Sequence, residues 1–155
     1  MFDIVKFDTY INEDKLVEEW NSVKLNLKEY VDKRVETPNW KIIKHEFDYS
    51  NELCEFFNVK GRPRFYLLEA NTTLPQHIDL ETQCSLNFIL NGNEAPVVFG
   101  SKKYTYKYAL LNVSKNHGVI NNNKDRILFK ISIFNESFDK VKEKIYNNKN
   151  ITICE

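Results

Sequence analysis

The chain has 155 residues, 22 basic against 22 acidic side chains, three His, three Cys, four Gly and four Pro. That length can bury a core without disulfide or metal staples, and a formal net charge of zero lacks the electrostatic footprint of a general nucleic-acid binder. With 42% hydrophobic and 14% aromatic residues the composition is globular, and no run of about 18 apolar residues exists to span a bilayer. The opening MFDIVKFDTYINEDK lacks the basic start and apolar run of a signal peptide. Cys54, Cys84 and Cys154 form an odd set without CxxC or zinc spacing, which reads as reduced thiols in a cytoplasmic protein.

In chain order, residues 2–7 (FDIVKF) predict a short strand and residues 12–33 a long helix. Leu16, Val17, Trp20, Val23, Leu27, Tyr30 and Val31 recur there at steps of three and four. Asn12 is placed to cap it, with Glu13 and Asp14 in the first turn. A strand follows at 41–49 and a brief helix at about 51–57. Further strands are expected at 64–70, 77–81, 85–90, 96–100, 104–113, 117–121 and 126–134. They are β-branched or aromatic and are separated by turn chemistry such as Asn91-Gly92-Asn93. Ser137 should cap a terminal helix with Phe138, Val141 and Ile145 on one face. Many short strands flanked by helices predict a β-rich α+β fold, a double-stranded β-helix (jelly roll, cupin-like). A single domain is expected over 1–155: helix and strand support at 1–62, the jelly-roll core at 63–134, and a helix and tail at 135–155.

The segment Leu74-Pro75-Gln76-His77-Ile78-Asp79 carries the chemistry. In a strand, residues i and i+2 share a face, so His77 and Asp79 would project together as a two-arm chelate. His117, opening a later strand, would be the third ligand. Two His and one carboxylate leave coordination positions open, the facial arrangement of non-haem Fe(II) oxygenases. Nine residues after His117 comes Arg126, opening an apolar strand in a sequence with only four Arg among 22 cations. A guanidinium grips a carboxylate bidentately where an ammonium acts as a point charge. If the strands of His117 and Arg126 pair antiparallel, the two residues become neighbours inside the barrel, where the far end of a dicarboxylate would be anchored.

His77-Ile78-Asp79, His117-Gly118-Val119 with Asn121, and then Arg126 resemble the iron/2-oxoglutarate-dependent dioxygenase superfamily. Within it the chain is most similar to small prolyl 4-hydroxylase and aspartyl/asparaginyl β-hydroxylase-like enzymes, including compact phage versions. Aspartyl hydroxylases lack the carboxylate ligand that Asp79 supplies, so the match is to the general superfamily pattern. The resemblance, covering about residues 64–133, implies Fe(II) on His77, Asp79 and His117 and 2-oxoglutarate anchored by Arg126. It implies a hydroxylase that couples substrate oxidation to decarboxylation of 2-oxoglutarate to succinate.

Other residues carry two readings each. Arg64 and Tyr66, alternating before the His-x-Asp segment, would reach the 2-oxoglutarate carboxylates or the substrate, or would be a surface Arg beside a core-edge Tyr. Asn87 would hydrogen-bond the co-substrate or cap a sheet edge, and Ser132, in phase with Arg126, would assist at the carboxylate. Tyr104, Tyr106 and Tyr108 read as a cross-strand packing ladder or a substrate lining. His45 reads as scaffold, and Cys84 lies near the site in sequence without a base to activate it. Two alternatives compete with the oxygenase: a cupin-type metal enzyme without 2-oxoglutarate, disfavoured by so few Gly, and a non-enzymatic jelly-roll binding or virion-associated module. The expected partner is a peptidyl or small-molecule substrate, with no membrane and no long nucleic acid. Asn and Lys richness agrees with an AT-rich, phage-like source.

Overall fold

The structure, a computed structural model, describes residues 2–24, 28–29, 40–43 and 48–154. In chain order these form β1 (Ile4–Thr9), α1 (Glu13–Val23), β2 (Lys28–Glu29), β3 (Trp40–Ile43), α2 (Asp48–Phe56), β4 (Gly61–Leu68), β5 (Thr73–His77), β6 (Cys84–Ile89) and β7 (Val97–Phe99). They continue with β8 (Lys102–Tyr104), β9 (Tyr108–Leu111), β10 (His117–Ile120), β11 (Arg126–Ile133), α3 (Phe138–Asn147) and β12 (Ile151–Ile153). Two antiparallel sheets result, one of eight strands in the order β12-β1-β9-β6-β11-β4-β3-β2 and one of four in the order β5-β10-β7-β8. This is the expected β-rich jelly roll with helices buttressing one sheet.

Period-two alternation divides the large sheet into two chemically different faces. Phe65, Leu86, Phe88, Leu110, Phe129 and Ile131 point to the outer face, where Leu16 and Trp20 of α1, Leu53 of α2, and Phe138, Val141 and Ile145 of α3 cover them. Ring contacts such as Trp20–Phe65 at 5.9 Å and Phe88–Phe129 at 5.7 Å lock this layer. The alternate residues Tyr66, Leu68, Asn87, Arg126, Leu128 and Lys130 face the small sheet and line the cavity between the sheets. Among the described residues no helix is long and apolar enough to cross a membrane.

Helix caps form as expected: Asn12 Oδ1 accepts from Lys15 N at 3.2 Å, and Ser137 Oγ accepts from Lys140 N at 3.2 Å. Several boundaries differ. The first helix ends at Val23, and Lys28–Glu29 pair with Ile42 and Lys41 as strand rather than helix. Leu27, Tyr30, Val31 and His45 lie outside the described residues. Asp48 and Tyr49 open the second helix instead of ending a strand. The expected strand at 104–113 is two strands in different sheets: β8 pairs β7, whereas β9 pairs β1 and β6. The tyrosines therefore form no ladder. Tyr104 donates to Asp3 Oδ2 at 2.8 Å, Tyr108 packs on the outer face, and Tyr106 turns into the cavity. A terminal strand, β12, was not expected; it pairs with β1 through Phe7↔Ile153 and Thr9↔Ile151.

Candidate metal centre and co-substrate pocket

The backbone brings three donors to one point. β5 and β10 pair antiparallel with His77 directly opposite His117, and the imidazole centroids lie 4.6 Å apart. The strand ends at His77, so Asp79 is not the same-face strand neighbour that the i, i+2 argument predicts. It sits just beyond, fixed by its own N–H donating to Val113 O at 3.1 Å. The carboxylate nonetheless turns back: Asp79 Oδ1 is 3.1 Å from His77 Nε2 and 3.5 Å from His117 Nε2. Gly118 permits the close approach of β10 to β5, because a Cβ there would lie 2.5 Å from Leu74 O and 2.9 Å from Gln76 N.

Both imidazoles are oriented by the main chain. His77 Nδ1 lies 2.7 Å from Pro75 O, and His117 Nδ1 lies 2.8 Å from Lys115 O. A carbonyl only accepts, so each Nδ1 carries the proton and each Nε2 is the group offered to the cluster. Outer hydrogen bonds of this kind fix tautomer and ring angle in metal sites. The three ligand atoms lie within 4.8 Å of one another. Two imidazole nitrogens and a carboxylate oxygen on one side are the donor set that suits a non-haem iron, and the residues fit that group.

A fourth side chain joins the cluster without having been expected. Lys130, 9% exposed in the middle of β11, donates from Nζ to Asp79 Oδ2 at 3.0 Å and lies 5.5 Å from the Tyr66 ring centroid. Burial opposes charge on both partners. Lys130, with His77 and His117, nevertheless holds Asp79 well below the usual carboxylate range, and Asp79 holds Lys130 above the ordinary lysine value. Burial pushes His117 down to about 4 against the pull of Asp79, which leaves that ring neutral at neutral pH. Burial also disfavours charge on His77, but the Asp79 and Pro75 hydrogen bonds lift it above the ordinary histidine value.

Arg126 lies across the cavity. It was expected to be His117's neighbour on a paired strand, but β10 and β11 belong to different sheets and Arg126 faces the triad from the opposite wall. The guanidinium is 4% exposed and donates to Ala95 O at 2.8 Å and Tyr106 Oη at 3.0 Å. Both partners are neutral, and among the described residues no carboxylate pairs with it. Tyr106 Oη also accepts from Asn87 Nδ2 at 3.1 Å, and Asn87 Oδ1 accepts from Ser85 Oγ at 2.7 Å. Leu68, Leu74, Val97, Leu111, Val113 and Val119 make the remaining walls apolar, around a cavity of about 60 Å³.

Of the residues proposed from sequence, His77, Asp79 and His117 converge, and Arg126, Tyr66 and Asn87 share their cavity. Arg64 and Ser132 are not among its lining residues. They continue the same inward rows, Arg64 opposite Lys130 and Ser132 opposite Arg62 and Ser85. Asn121 braces a turn, donating to Leu68 O and Glu69 O. Cys84 faces the helix-covered core, where burial pushes its thiol up to about 12. Lys130 has no place in the sequence reading, and Tyr106 enters it only as one of three tyrosines in a packing ladder or a substrate lining, not as a partner of Arg126. Lys130 left one signal, a cation in phase with Arg126 inside the apolar strand ILFKISIF. Nothing local singles out Tyr106 from Tyr104 and Tyr108, because the switch between sheets that turns it inward is tertiary.

The fold is similar to that of solved prolyl hydroxylases. It superposes on a prolyl 4-hydroxylase of Pseudomonas putida with a TM-score of 0.61, over 85% of this chain and 93% of that one, at 10% identity. A prolyl hydroxylase of Trichoplax adhaerens, in complex with a hypoxia-inducible-factor oxygen-degradation-domain peptide fragment, gives 0.64 over 88% and 86% at 12% identity. The viral collagen prolyl hydroxylase of Paramecium bursaria Chlorella virus 1, in its 2OG complex, gives 0.55 over 82% and 94% at 10% identity. No family model and no curated protein matches the sequence.

Proposed function

We propose that the chain is an Fe(II)- and 2-oxoglutarate-dependent dioxygenase, a hydroxylase of a peptidyl or small-molecule substrate. The observation that carries this is a buried guanidinium with only neutral partners that shares one cavity with two imidazoles grouped with a carboxylate. A buried charge without a counter-ion is costly. A dicarboxylate held at one end by the triad's metal and at the other by Arg126 removes that cost. A jelly-roll binding module gives the guanidinium no such role, and a cupin-type metal enzyme without a dicarboxylate leaves it unpaired.

His77 Nε2, His117 Nε2 and Asp79 Oδ1 would hold the iron. With 2-oxoglutarate and O₂, the iron supplies hydroxylation of a substrate C–H bond, with succinate and CO₂ as co-products. This chain's residues do the rest. Arg126 grips the distal carboxylate, Tyr106 and Asn87 hold the guanidinium side of the pocket in place, and the apolar walls keep water from the reacting centre. A peptidyl substrate draws support from the Trichoplax enzyme, whose structure contains a peptide fragment.

Anaerobic Fe(II) with 2-oxoglutarate should give a weak visible charge-transfer band, and His77→Ala or Asp79→Ala should abolish it. Arg126→Ala should weaken 2-oxoglutarate binding while metal binding survives. Absence of both the band and any succinate formation by the wild-type protein would overturn the proposal.

A further inference from the structure

Asp79 divides its two oxygens between two partners. Oδ1 faces both imidazole Nε2 atoms, at 3.1 and 3.5 Å, while Oδ2 accepts from Lys130 Nζ at 3.0 Å. Lys130 is held in place from several sides. It projects from the middle of the eight-residue β11, with Arg64 and Asn87 opposite it on the flanking strands, and its ammonium lies over the Tyr66 ring. An exposed ion pair would contribute little. This one is buried on both sides, with side-chain exposures of 11% and 13%, and such a charge-assisted hydrogen bond is strong and directional.

We infer that Lys130 is a positioning residue that keeps Asp79 a one-oxygen ligand, by occupying Oδ2 and leaving only Oδ1 for the metal. The inference rests on the proposed iron site and adds a role that the triad does not contain. A free carboxylate beside a divalent ion can turn and chelate with both oxygens. Here that would take one of the three positions that a bidentate co-substrate and O₂ must share. A lysine is an odd choice for tightening metal binding, because its charge repels the ion at short range in a poorly screened site. Lys130 therefore serves the open positions at the expense of metal affinity. A ligand-orienting residue of the ordinary kind would do the reverse.

The test compares wild type with Lys130→Met, which keeps the length and removes the donor, and with Lys130→Arg, which restores a donor. Mn(II) binding and the number of exchangeable metal-bound waters, read by water-proton relaxation, are measured without 2-oxoglutarate. The anaerobic Fe(II)/2-oxoglutarate charge-transfer band is then titrated. Lys130→Met should bind Mn(II) as tightly as wild type or more tightly, with fewer exchangeable waters. It should need about tenfold more 2-oxoglutarate for the band, within the range for loss of a group that orients a ligand. Lys130→Arg should recover the water count. An unchanged water count in Lys130→Met, or loss of its metal binding, would overturn the inference. Failure of the wild-type protein to bind metal at His77, Asp79 and His117 would instead overturn the proposed function.

Discussion

At the residue scale, the co-substrate end of the pocket depends on the phenol of Tyr106. Its oxygen accepts from both Arg126 Nη2 and Asn87 Nδ2, so its own hydrogen is free to point elsewhere. Tyr106→Phe removes one acceptor shared by two buried donors. Leaving such donors unpaired costs about 1–3 kcal/mol, and chemical denaturation should register that loss. The guanidinium also loses one of its two fixed contacts, so 2-oxoglutarate affinity should fall while Fe(II) affinity holds. Isothermal titration of each ligand separates the two. Equal weakening of both would mean that Tyr106 supports the whole cavity and not Arg126 alone.

At the scale of elements, the pairing of β5 with β10 makes the site. Histidines 40 positions apart become direct neighbours only through this register, which shifts between His117 and Val119. Gly118 sits at that shift against β5 backbone, too close for any Cβ. Gly118→Ala should therefore push the two strands apart and lower metal affinity more than stability. Mn(II) titration against thermal unfolding checks this, and unchanged metal binding in the folded variant would refute it. The same pairing shows what the sequence could reveal. His77, Asp79, His117 and Arg126 stood out by residue type and spacing, since an HxD segment, a later His and a rare Arg are local signals. Their arrangement is not a local property. Asp79 lies past the end of its strand, and Arg126 faces His117 from the other sheet instead of pairing beside it. Short strands and turns give the count of elements but not which sheet each one joins. The same lack hides the division of 104–113 between β8 and β9, and the end of the first helix at Val23 ahead of the pairing of Lys28–Glu29 with β3.

At the scale of the whole molecule, the large sheet separates stability from chemistry by its two faces. The outer face buries Phe65, Phe88 and Phe129 completely under three helices, and the inner face carries Asn87, Arg126 and Lys130. Truncating the outer face should cost stability: Phe129→Ala removes a fully buried ring, worth about 3–5 kcal/mol. Removing the Arg126 charge from the inner face should do the opposite. Arg126 keeps a charge 4% exposed with a carbonyl and a phenol for partners, an arrangement costly to stability and suited to binding an anion. Arg126→Met fills similar space without that charge. It should stabilise the ligand-free protein by about 1 kcal/mol, raising Tm by about 2–4 °C in a chain of this size. Saturating 2-oxoglutarate, added to the metal-loaded proteins, should raise the wild-type Tm further and leave that of the metal-loaded Met variant nearly unmoved, since a ligand stabilises only the state that binds it. Scanning calorimetry of both proteins, with and without ligands, reads all four values. A lower Tm for ligand-free Arg126→Met would show that the guanidinium serves as a structural brace across the barrel, and the anion-anchoring role would then need evidence from binding alone.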